Sequence, residues 1–139
     1  MIKRLLSICF LILAALVLIS GCTTANTTTN AQLDKEFSLA IGQTTTIQDE
    51  GLSMKLKDVV SDSRCPQGVV CIWAGEVSCL VEIDYGGKNS DLVLTQSGDP
   101  TVKSFDKYQF TFHVEPYPQA GKEIAKGDYR LLMTVQKVS

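Results

Sequence analysis

Val77 to Tyr85 alternates with period two: Val77, Cys79, Val81, Ile83 and Tyr85 share one face, and Ser78, Glu82 and Asp84 share the other. That spacing puts the apolar side chains on one side of an extended strand and would scatter them around a helix. The same period recurs in Phe37, Leu39 and Ile41, in Leu52, Met54 and Leu56, in Tyr108, Phe110, Phe112 and Val114, and in Tyr129, Leu131, Met133 and Val135. Thr44 to Gln48 is a short β-branched run. No window after residue 33 sustains the i, i+3, i+4, i+7 spacing of an amphipathic helix.

Turn residues separate these runs. Gly86-Gly87-Lys88-Asn89 predicts a hairpin between Val77–Tyr85 and a returning strand over Leu92–Thr95. Ser97-Gly98-Asp99-Pro100 is a second turn, Pro116 and Pro118 stop a strand, and Ala120 to Gly127 loops over. Asp58 interrupts the alternation before Val59-Val60, which marks a bulge or a strand end. About seven or eight short strands predict an all-β fold, an antiparallel sandwich or small barrel. Leu80, Val93 and Leu132 fall on the otherwise polar faces, so some strands are covered on both sides. That favours the sandwich, with an immunoglobulin-like arrangement as the working picture.

The N-terminus has another character. Lys3 and Arg4 precede an apolar run from Leu5 to Ile19, and Ser20-Gly21-Cys22 follows it. A helix over that run is about 22 Å long, against roughly 30 Å of bilayer hydrocarbon, so it fits a secretory signal better than a permanent span. The small pair followed by cysteine resembles the lipobox of prokaryotic lipoproteins. The resemblance implies cleavage after Gly21, lipidation of Cys22 and an extracytoplasmic domain held at the cell or outer membrane. Thr23 after the cysteine supplies no aspartate retention signal.

Taking 21 residues from 139 leaves 118, the size of one domain. Loss of Lys3 and Arg4 moves the net charge from −2 to −4, with no basic run, so nucleic acid is not an expected partner. Residues 22–34 hold the lipid cysteine and, from Thr23 to Gln32, a threonine-rich stretch without a large apolar side chain. Such a stretch cannot offset its ordering entropy and is expected to be a disordered tether, with the folded domain over 35–139.

The domain keeps three cysteines, Cys65, Cys71 and Cys79. An exported domain favours a disulfide, and three pairings are possible. Cys79 lies on the apolar face of its strand, whereas Cys65 and Cys71 flank a segment with Pro66 and Gly68 that can turn back. The expected bridge is Cys65–Cys71, with Cys79 a buried thiol.

The run Asp62-Ser63-Arg64-Cys65-Pro66, leading through Cys71 to Trp73-Ala74-Gly75-Glu76 and a strand, resembles a motif of small prokaryotic exported proteins and lipoproteins of uncharacterised activity. The likeness extends more weakly from Phe37 to the strand at Tyr129. It supports the domain assignment and implies no reaction.

Two roles compete for this loop. In one, Trp73 plugs the core against the bridge while Asp62 and Arg64 pair across the turn. In the other, Asp62, Arg64, Pro66, Trp73 and Glu76 belong to a stiff displayed loop that binds a partner. The first is the expectation, because a small exported domain needs staples.

His113 is the sole histidine, on the polar side of its strand, with no nucleophile indicated beside it. Cys65, Cys71, Cys79 and His113 lack the close pairs of a structural zinc knuckle. Asp58, Asp62, Glu76 and Asp84 do not follow the order of a calcium loop. No phosphate loop, serine elbow or nucleotide fingerprint is present in the sequence. The expectation is therefore a lipid-anchored, non-enzymatic binding or envelope-associated module without cofactor. Its expected partners are the membrane, through the lipid anchor, and an envelope protein. The competing expectation is a thiol–disulfide redox or metal-handling protein using Cys65, Cys71 and Cys79.

Overall fold

A computed structural model describes residues 27–138, so the leader, the lipobox and Cys22 lie outside the described residues. Two sheets form a sandwich. One has the order β1 (Thr28–Ala31), β3 (Thr44–Ile47), β4 (Leu52–Asp62), β5 (Val77–Tyr85), β6 (Lys88–Gln96). The other has the order β2 (Glu36–Ala40), β9 (Arg130–Lys137), β8 (Tyr108–Glu115), β7 (Thr101–Phe105). Every pairing is antiparallel except β1 with β3.

The period-two faces become the core. Val77, Cys79, Val81 and Ile83 of β5 and Leu52, Met54 and Leu56 of β4 are buried against Tyr108, Phe110, Phe112 and Val114 of β8. Leu131, Met133 and Val135 of β9 and Leu39 of β2 complete the layer. Burial of each such side chain contributes about 1.5–3 kcal/mol before ordering entropy is set against it. Ser78 is also buried, and its hydroxyl meets that of Thr95 at 2.9 Å on the neighbouring strand.

Asp58 marks a bulge rather than an end. The pairing of β4 with β5 slips between Leu56 and Asp58 and again between Val59 and Ser61. Two bulges let one strand continue to Asp62, which is where the candidate site begins.

Several features depart from the sequence reading, among them Val93, which is 50% exposed rather than covered. The threonine-rich segment expected to be a disordered tether contributes β1, whose Thr28 to Ala31 pair with Thr44 to Ile47. Its order comes mainly from backbone bonding to an open sheet edge and from a contact between the Thr29 and Thr45 hydroxyls at 2.7 Å, with Ala31 its one buried apolar side chain. Strand β7 arises from a segment without alternation, paired to β8 at the edge of the second sheet. The connectivity is also not immunoglobulin-like. Strands β3 to β6 run as one meander in a single sheet, whereas an immunoglobulin domain keeps no four consecutive strands in one sheet.

Candidate functional site

Residues 63–76 project from the pole of the sandwich where β4 ends and β5 begins. The ladder continues into their stem: Ser63 N donates to Glu76 O at 2.8 Å and Cys65 N to Ala74 O at 2.7 Å. Ser63 Oγ donates to Glu76 O at 3.1 Å and accepts from Glu76 N at 3.2 Å. The two arms approach so closely at Gly75 that a Cβ there would lie 1.9 Å from the Ser63 carbonyl oxygen. Gly75 also has φ +69°, a left-handed conformation that glycine adopts without strain.

Below the stem sits a buried ionic latch. Arg64 Nε and one terminal nitrogen grip the Asp62 carboxylate at 2.9 and 2.6 Å. The other terminal nitrogen donates to Val114 O at 2.6 Å, and a further bond reaches Pro116 O at 3.0 Å. The Tyr117 ring lies 5.2 Å from the guanidinium carbon, and Tyr129 Oη donates to Asp62 at 3.1 Å. Arg64 is only 6% exposed, and such a buried charge is tolerable only because its donors are met. Burial pushes the Asp62 carboxyl up, but the bonds and charge of Arg64 outweigh it and hold the group below its ordinary value. The latch therefore ties the end of β4 to the end of β8 and the start of β9.

A brace and a staple complete the scaffold. Gln67 N donates to Pro118 O at 2.9 Å and Gln67 O accepts from Ala120 N at 3.3 Å, a parallel bridge to the loop after β8. Cys65 and Cys71 are joined by a disulfide with Cα atoms 5.9 Å apart, the expected pairing.

What this scaffold holds is apolar and wet. Val70 is 100% exposed, Ile72 95%, Trp73 78% and Val69 47%. From Cys65 to Gly75 no side chain carries a charge. Trp73 as a core plug is thus overturned. Tyr108, Phe110 and Phe112 already fill the space between the sheets, and the latch holds the loop beyond it.

The sequence-predicted site residues divide accordingly. Asp62 and Arg64 pair as expected, but as buried supports rather than contact residues, and Pro66 is half-buried at the turn that Val69 N closes on its carbonyl. Trp73 and Glu76 are exposed. Sequence reasoning missed Val69, Val70 and Ile72. The signal that marks them is an uncharged apolar cluster inside a proline- and glycine-bearing turn, where alternation gives it no buried face.

Other chemistry does not assemble around the loop. Cys79 lies on the core face of β5, and burial pushes its thiol up to about 12, so it stays protonated at neutral pH. His113 alternates with buried Phe112 and Val114 and so faces away from Cys79; its Nε2 lies 3.7 Å from Glu115. Asp58 is engaged by Lys126 at 2.9 Å. Among the described residues no group of three or more His, Cys, Asp or Glu side chains converges as metal ligands. Two open clefts flank the latch, one of about 160 Å³ lined by Arg64, Gly75, Gln96, Asp99 and Tyr117 and one of about 310 Å³ lined by Asp62, Arg64, Pro66, Lys122, Glu123 and Tyr129, the second only at the lower end of small-molecule sites.

Fold and site together define a small β-sandwich that displays a disulfide-closed, uncharged apolar loop from one pole. No protein family, curated protein or solved structure compared with this chain matches it.

Proposed function

We propose that the chain is a lipid-anchored, extracytoplasmic, non-enzymatic binding module and that residues 65–73 are its contact surface. The observation that carries this reading is the contrast within one short segment. A buried ion pair, a backbone stem and a disulfide converge to hold Val70, Ile72 and Trp73 in water. Exposed apolar side chains gathered in one place mark interaction surfaces, and a loop already rigid loses little entropy on contact. Large apolar and aromatic groups are also the residues that dominate contact energies. The Cys22 anchor keeps this surface at the envelope.

Photo-crosslinking in the native host tests the reading. A photoreactive residue at position 72 is expected to give adducts, to lipid or protein, well above those from position 55 on the sheet face. Equal adducts at the two positions would reject the loop as the contact surface. Mass analysis of the mature chain is expected to show a new N-terminus at a lipid-modified Cys22, and an intact leader with a free thiol would reject the anchor.

A further inference from the structure

We infer that the occupant of the apolar tip is the lipid surface itself, so that the domain touches its membrane twice, through Cys22 and through Val70, Ile72 and Trp73. The inference rests on the anchored-module reading and identifies its partner.

Strand direction carries the argument. Thr28 lies level with Thr44, and through it with Lys55 of β4. Ala31, later in β1, lies level with Ile47 and Leu52, at the other end of the sheet. The chain therefore enters β1 from the side of the apolar loop. Lys55 pairs with Glu82, and from Glu82 to Val77 at the loop pole is five residues of β5, about 16 Å at strand rise. Six residue steps separate Cys22 from Thr28, a reach of at most about 20 Å. A fully extended 22–28 segment would therefore reach the level of Val77 on that side, while the stem carries Trp73 beyond it. With the domain inverted, the same six steps would have to reverse and run back past Leu52 and the turn after β3. That consumes about 10 Å of strand before any lipid is reached.

The composition of the tip fits this occupant. Valine and isoleucine with a tryptophan are what the boundary between headgroups and acyl chains accepts, tryptophan favouring that boundary in particular. Because residues 65–75 carry no charge, contact needs no anionic headgroup and withstands salt. A protein partner recognised through charge would leave rim charges on the loop, and there are none between Cys65 and Gly75.

Trp73 is the only tryptophan in the chain, so its fluorescence reads the tip directly. The full mature chain is reconstituted in phosphatidylcholine vesicles, with and without phosphatidylglycerol, and anchoring is scored by flotation. The expected result is a blue-shifted Trp73 emission in both compositions and at high salt. Most of its intensity should be lost when acyl-chain-brominated lipid is substituted. The double variant Val70→Asp/Ile72→Asp, at positions that touch little of the fold, is expected to float but return the emission towards that of water. Floating protein whose Trp73 stays red and open to aqueous quenchers would overturn the inference. A blue shift without quenching by brominated lipid would overturn it too, by placing another copy or a protein on the tip. A chain that does not float, with Cys22 unmodified, removes the anchor and this inference with it, while leaving residues 65–73 available as a protein-binding surface.

Discussion

Gly75 and Trp73 stand two residues apart and answer to opposite demands. Alanine at Gly75 would place a methyl group 1.9 Å from the Ser63 carbonyl oxygen and impose φ +69° on a residue with a Cβ. The left-handed conformation alone costs about 1–2 kcal/mol, and the overlap with backbone cannot relax without opening the stem. Gly75→Ala is therefore expected to lower unfolding free energy by at least about 2 kcal/mol, read as an earlier denaturant midpoint. Trp73→Ala is expected to leave the midpoint within about 0.5 kcal/mol, since the indole is mostly in water. A large loss on Trp73→Ala would restore the plug. The sequence supports the wrong role for this residue because a lone tryptophan beside a disulfide is a good core filler in a sandwich. Only the count of aromatics on β8 shows the core to be full, and that count needs the sheets paired. Asp62 and Arg64 were legible as partners from their spacing. Their burial was not, because Val114, Pro116 and Tyr129 arrive from distant segments.

At the scale of elements, legibility follows burial. Strands β4, β5, β8 and β9 each have a buried face, and that face writes the period-two pattern that foretells them. Edge strands β1 and β7 are ordered mainly by backbone bonds, which leave no trace in side-chain type. The loop is an element of a third kind, held by several supports of different chemistry. Cys65→Ser/Cys71→Ser is expected to cost about 2 kcal/mol in the chain-entropy picture, because the closed loop is short. The stem bonds at Ser63 and the Arg64 latch do not involve sulfur, so both sheets should persist. Amide exchange is expected to quicken over residues 66–73 while β4 and β5 keep their protection. Equal loss of protection in β5 would mean that the bridge holds the sandwich rather than the tip.

Across the whole molecule the two sheets are pinned at both poles by a carboxylate. At the loop pole Asp62, at the end of β4, takes Arg64 and Tyr129 and through Arg64 grips the end of β8. At the far pole Glu50, in the turn before β4, accepts from Tyr108 Oη at 2.6 Å at the start of β8 and from Lys137 Nζ at 3.0 Å at the end of β9. Hydrogen bonding from Tyr108, then from Lys137, holds Glu50 below its ordinary value, as Arg64 does for Asp62 against its burial. Both carboxyls thus bind protons less readily when folded than when unfolded. Their contribution is complete above the ordinary carboxyl range and is lost as pH falls from about 4 through the depressed folded values. Denaturant unfolding is therefore expected to be flat from neutral pH down to about 5 and then to weaken steadily. Asp62→Asn separates the poles. The variant is less stable than the wild type at neutral pH, because Arg64 loses a charged partner, and the gap should close as acid protonates Asp62 in the wild type. Glu50→Gln should close its own gap over the same range. The two effects should add, since about 30 Å of strand separates the pins. A gap between wild type and Asp62→Asn that stays constant from pH 7 to pH 2 would show that the Asp62 charge does not hold this pole together.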